Sequence, residues 1–82
     1  MRSINEEIEV VAWFKEGFIT PVRFKWKNKV IVVDKVLSKE RIGSTIYNNL
    51  TIKCQTMQNN RIIEYDLLYE TDTYKWTLKN IY

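Results

Sequence analysis

Paired carboxylates are the groups most able to do chemistry in this chain. Asp34, Glu64, Asp66, Glu70 and Asp72 could pair for general acid–base work. Glu64 and Asp66 stand two residues apart, and on a strand that spacing puts both on one face. The usual neutral-pH partner is missing, because the chain has no histidine. It also lacks a glycine-rich phosphate loop and a nucleophile motif. Lys75 and Lys79 give the carboxylates a simpler role as cross-strand ion pairs. No catalytic residue is expected.

Metal and thiol chemistry have little to work with. Cys54 is the single cysteine, so no disulfide can close within the chain. One thiol without an imidazole makes no recognisable zinc set. Cys54 follows Ile52 in an apolar alternation and reads as a small core residue. No metal and no cofactor are expected.

Binding chemistry is better represented. Arg23, Lys25, Lys27 and Lys29 recur at every second position, and no acidic residue falls between Gly17 and Val33. Cations spaced in this way on a strand could track phosphates, with aromatic side chains at the rim stacking on bases. An ordinary solvated strand face has the same pattern. The run shortens if Arg23 meets Asp34 on the neighbouring strand. Trp13, Trp26 and Trp76 form a second group. Trp26 and Trp76 belong to apolar alternations and are expected in the core. Trp13 shares its face with Glu9 and Val11, and with Phe18 and Ile19 it makes a candidate protein interface. The same residues could instead close an N-terminal strand onto a barrel.

These side chains need strands to position them. The chain has 82 residues, 45% hydrophobic and 28% charged, with one Pro and two Gly, which fits a single domain spanning 1–82. Period-two alternation recurs throughout. A first strand is expected over Glu7–Phe14, with Ile8, Val10, Ala12 and Phe14 on one face and a turn at Lys15-Glu16-Gly17. Pro21 suits the start of a second strand, in which Val22, Phe24 and Trp26 alternate with the cations. Lys27-Asn28-Lys29 holds a turn, with Asn28 left-handed. A third strand, Val30 to about Leu37, opens with four apolar residues and is expected to be central and covered on both sides. Ser38 to Ser44 is the main break, and a fourth strand covers Thr45–Met57 with Leu50, Ile52 and Cys54 inward. Gln58-Asn59-Asn60 is a hairpin turn.

The last hairpin checks itself. A turn tip at Asp72-Thr73 sets Tyr69 opposite Trp76, Leu67 opposite Leu78, Glu70 opposite Lys75 and Asp66 opposite Lys79. Apolar pairs then share one face and opposite charges the other. The expected fold is all-β: a five- to six-stranded antiparallel meander rolled into a small barrel-like domain of SH3-like form.

The chain resembles a family of small uncharacterised bacterial all-β domains. The resemblance is carried by Pro21-Val22-Arg23-Phe24-Lys25-Trp26, Val32 and Val36-Leu37, then by Asp66-Leu67-Leu68-Tyr69, Trp76-Thr77-Leu78 and Ile81-Tyr82. It departs from the family pattern at Asn28, where Gly is usual, and at Ile42, where an aromatic is common. Similar domains sometimes accompany proteins resembling translesion DNA polymerases, so the resemblance implies a DNA-associated accessory role. No functional residue transfers with it.

Net charge is +3, which permits an anionic partner without demanding one. No apolar stretch approaches the ~20 residues that span a bilayer, and Met1–Glu7 lacks the apolar core of a signal peptide. The expected setting is cytoplasmic. The expected function is a non-catalytic binding module. Its leading partner is nucleic acid, held weakly and without sequence preference through Arg23, Lys25, Lys27 and Lys29. The alternative is a protein partner or homodimer, bound through Trp13, Phe18 and Ile19 or a strand edge. A small molecule inside the barrel is less favoured, because a small barrel is filled by its own side chains.

Overall fold

The computed structural model describes residues 1–16, 18–43 and 49–82. Gly17 and the expected start of the fourth strand at Thr45 lie outside them. The described chain forms β1 (Arg2–Lys15), β2 (Phe18–Trp26), β3 (Lys29–Val32), β4 (Lys35–Ile42), β5 (Asn49–Gln58), β6 (Arg61–Glu70) and β7 (Lys75–Ile81). All pair antiparallel in one sheet of order β3-β2-β1-β7-β6-β5-β4.

The all-β expectation holds, with two corrections. Among the described residues there are seven strands, not five or six, and their sheet is not closed into a barrel. The extra strand arises at Val33-Asp34, where the expected third strand splits in two. Val33 N–H still donates to Val22 O at 2.9 Å, but Asp34 N–H turns to Gln55 O at 2.9 Å. Asp34 Oδ2 also accepts from Met57 N–H at 2.6 Å. The chain thus leaves β2 for β5, and β3 and β4 become opposite edges of the sheet.

β1 joins the two parts of the sheet. Its first half pairs with β7 up to Ile8, and its second half pairs with β2 from Glu9 onward. A register shift between Ser3 and Glu6, with Asn5 at φ 56°, bends the first half. The sheet folds over on itself across β1 and β7. Phe24 on β2 reaches Tyr65 on β6 with ring centroids 5.3 Å apart at 80°. Phe24 and Ile31 from one side join Ile52, Cys54, Tyr65, Leu67, Trp76 and Leu78 from the other in a single core.

β3 is not the central strand that its apolar run suggests. It lies at the sheet edge, with Val30 64% and Val32 54% exposed. Most of the expected break at Ser38–Ser44 is strand β4. A bulge between Val36 and Ser38 shifts the phase there and hides the alternation. Two of the expected turns behave as their asparagines predict. Lys27-Asn28 and Asn59-Asn60 carry φ of 50° and 61°, and of 50° and 63°, as two-residue hairpins require.

The last hairpin keeps its apolar register, with Tyr69 opposite Trp76 and Leu67 opposite Leu78. Glu70 faces Lys75 as expected, yet Lys75 Nζ lies 3.9 Å from Glu7 Oε1 instead. A bulge between Asp66 and Leu67 moves Lys79 aside and places Asn80 opposite Asp66. Arg23 makes no ion pair with Asp34 among the described residues.

Candidate binding face

Register fixes what the β1–β3 part of the sheet shows outward. Val10, Phe24 and Ile31 form an inward row in the core. The rows on either side of it face out: Glu9, Lys25 and Val30, then Val11, Arg23 and Val32. Beyond the bulge after Val11, Trp13 faces Thr20 and extends the same surface. Val11 is 47% exposed and Trp13 67%. A shallow hollow of about 380 Å³ opens among Glu9, Val11, Arg23, Lys25 and Val30.

The four expected cations are all exposed but do not share one surface. Arg23 and Lys25 face outward. Lys27 sits in the hairpin turn with Nζ 4.9 Å from the Trp26 ring centroid. Lys29 pairs with Trp26, on the side of the sheet away from Arg23 and Lys25. Trp26 is half-buried against the core, and its Nε1–H donates to Glu6 Oε1 at 3.4 Å.

The expected aromatic site is also divided. Ile19 pairs with Phe14, on the side opposite Trp13, and packs half-buried against the core. Phe18 is exposed at the end of the hairpin, where Lys39 Nζ lies 5.6 Å from its ring. Lys39 also donates to Thr20 Oγ1 at 2.9 Å, linking β4 to β2 through side chains.

The outward face of β5–β7 is of another character. Lys53, Asp66 and Asn80 form one row, Thr51, Leu68 and Thr77 the next. Sequence reasoning missed the cluster centred on Asp66. Its Oδ2 accepts from Asn80 Nδ2–H at 2.9 Å and from the Tyr82 hydroxyl at 2.5 Å, and Lys53 Nζ lies 4.0 Å from Oδ1. The hydrogen bond to Asp66 is the first cause that raises the Tyr82 phenol above its ordinary value of 10.0, followed by burial and the carboxylate charge.

Cys54 is fully buried, as its alternation predicts. Burial pushes its thiol up to about 12, and the Asp66 charge adds to the shift. An acid whose folded pKa is raised stays protonated in the native state while the unfolded chain ionises. Stability from this group is therefore lost as pH rises above the unfolded value near 9.0, by about 1.4 kcal/mol per unit. The expected result is that the advantage of the native chain over Cys54→Ala, measured by urea unfolding, shrinks between pH 9 and 11. A gap that stays constant would assign the alkaline loss to other groups.

Among the described residues, no three His, Cys, Asp or Glu side chains converge as a metal site would require, and no helix is long and apolar enough to cross a membrane. No protein-family model matches the chain, and no curated protein or solved structure matches it significantly.

Proposed function

We propose that the chain is a non-catalytic binding module and that the outward face of β1–β3 docks another protein. The observation that carries this reading is the contrast between the two outward faces. On β5–β7 the central outward row of Lys53, Asp66 and Asn80 is polar and bonded together, and the exposed apolar side chains Met57 and Ile62 are confined to one pair at the far end of β5–β6. On β1–β3 they leave Val11, Trp13, Val30 and Val32 exposed around Arg23 and Lys25. An uncovered apolar patch with an arginine at its centre and an aromatic at one end has the composition of a protein interface. Valines offer nothing for a base to stack on. The accessory role implied by the resemblance suits such a module. The single buried thiol suits a cytoplasmic setting.

One observation favours a second reading. Trp13 lies on the same face as Arg23 and Lys25, so a base could stack on the indole while the two cations hold phosphates. This is weak nucleic-acid contact, centred on two of the four expected cations.

A photo-crosslinking residue placed at position 13, with position 51 on the other outward face as control, separates the readings in cells that express the chain. A discrete protein adduct at 13 and none at 51 is expected. An adduct removed by nuclease would select the nucleic-acid reading, and equal yields at both positions would defeat both. Trp13→Ser should leave stability within about 0.5 kcal/mol, because the ring is mostly exposed, while abolishing the adduct formed by a photo-crosslinking residue placed at the neighbouring outward position 11.

A further inference from the structure

The free edge of β3 shows what kind of segment the docking face would receive. Pairing type alternates along an antiparallel ladder. The two-residue turn Lys27-Asn28 makes Trp26 and Lys29 a hydrogen-bonded pair, which sets Phe24 and Ile31 as the next. The bond from Val33 N–H to Val22 O continues that series. Val30 and Val32 fall between the bonded pairs. Their N–H and C=O groups therefore point away from β2, while their side chains stand on the outward face. Among the described residues, no strand or turn takes these groups up.

Cations flank this edge on both sides of the sheet. Arg23 and Lys25 stand one strand in on the outward side, and Lys29 stands on the other. The nearest acid beyond β3, Asp34, is bonded to Met57 N–H, and Glu9 lies two strands away beyond Lys25. A second copy of the chain, added at the same edge, would bring more cations to it.

We infer that the β3 edge accepts an extended, acidic segment of a partner protein as an added strand. This rests on the protein-docking reading above and names the partner's chemistry. The backbone of the segment would bond to Val30 and Val32. Its alternate side chains would place carboxylates near Arg23 and Lys25 or near Lys29, and aliphatic groups against the exposed valines.

The test is an amide-resolved NMR titration of the full chain with a short capped peptide alternating Val and Glu, beside its Val–Lys counterpart. The Val–Glu peptide is expected to shift the Val30 and Val32 amides and slow their hydrogen exchange, binding roughly tenfold tighter than the Val–Lys peptide. Val32→Pro removes an outward N–H without breaking a bond to β2, a substitution that edge strands tolerate. It should cut binding about tenfold with the circular dichroism unchanged. Arg23→Glu with Lys25→Glu leaves the backbone edge intact and should remove the preference for Glu, which keeps the inference testable if the proline variant fails to fold. Equal binding of the two peptides, or no binding of either, would overturn the inference. Shifts at Val11 and Trp13 without any at Val30 and Val32 would overturn the edge while leaving the docking face standing. Oligothymidylate shifting Arg23 and Lys25 where neither peptide binds would overturn both in favour of nucleic acid.

Discussion

Replacing Phe24 by Ala is expected to cost about 3–5 kcal/mol, a large share of the 5–15 kcal/mol that holds a domain folded. Phe24 is 1% exposed, so its ring leaves a cavity. Its contact with Tyr65 joins β2 to β6, which are separated in the sheet by β1 and β7. The contact therefore crosses the fold of the sheet. It packs β1–β3, which carry the candidate binding face, onto β5–β7, which supply most of the core. Tm should fall by about 4–8 °C for each kcal/mol in a domain of this size. Phe24→Leu keeps most of the volume but loses the edge-to-face ring contact, and should cost about 1–2 kcal/mol. Urea unfolding of both variants checks this. A loss under 1 kcal/mol for Phe24→Ala would mean that the two parts of the sheet are held together elsewhere.

Much of the scaffold was legible because inward residues keep period two through β2, β5, β6 and β7. Phe24, Ile52, Cys54, Leu67, Trp76 and Leu78 are buried as their alternation predicts. The errors fall where the period breaks. The bulge after Val36 makes a real strand look like a polar loop, and the bulge after Asp66 moves Lys79 off its expected partner. The position of β3 was illegible for a different reason. An apolar run reports only that side chains avoid water on average, and cannot say whether a sheet neighbour exists. The candidate site was half legible. Arg23, Lys25 and Trp13 were singled out as residues, but for separate surfaces. A strict two-residue turn at Lys27-Asn28 would have joined the two cations to the exposed valines in advance, since it sets Lys25 opposite Val30 and Arg23 opposite Val32. The same turn sends Lys29 to the other side, which the even spacing of the cations conceals. Asp66 looked like one end of a surface ion pair, because nothing local shows that Tyr82 returns to cover it.

Asp66→Ala should destabilise the chain by about 2–3 kcal/mol, far more than loss of an ordinary strand-surface carboxylate. Asp66 points outward yet is only 7% exposed. The cause is its cover: the Tyr82 ring and Lys53, whose Nζ lies 4.1 Å from that ring. Removing the carboxylate leaves the Asn80 amide and the Tyr82 hydroxyl without their acceptor and Lys53 without its counter-charge. Asp66→Asn keeps one acceptor oxygen and should cost about half as much. Tyr82→Phe removes one donor and should cost less than Asp66→Ala, and the double variant of the two should cost less than the single losses combined. The Tyr82 phenol gives an independent readout. Its raised pKa comes first from the bond to Asp66, so in Asp66→Ala it should fall back toward 10.0 when the tyrosines are titrated by ultraviolet absorbance. If stability fell but the phenol did not move, the loss would lie in the packing of β6 against β7 and not in the hydrogen bonds to the carboxylate. If both moved together, the cluster would pin the end of β7 against β6, and through β7 the first half of β1, which leads into the candidate binding face.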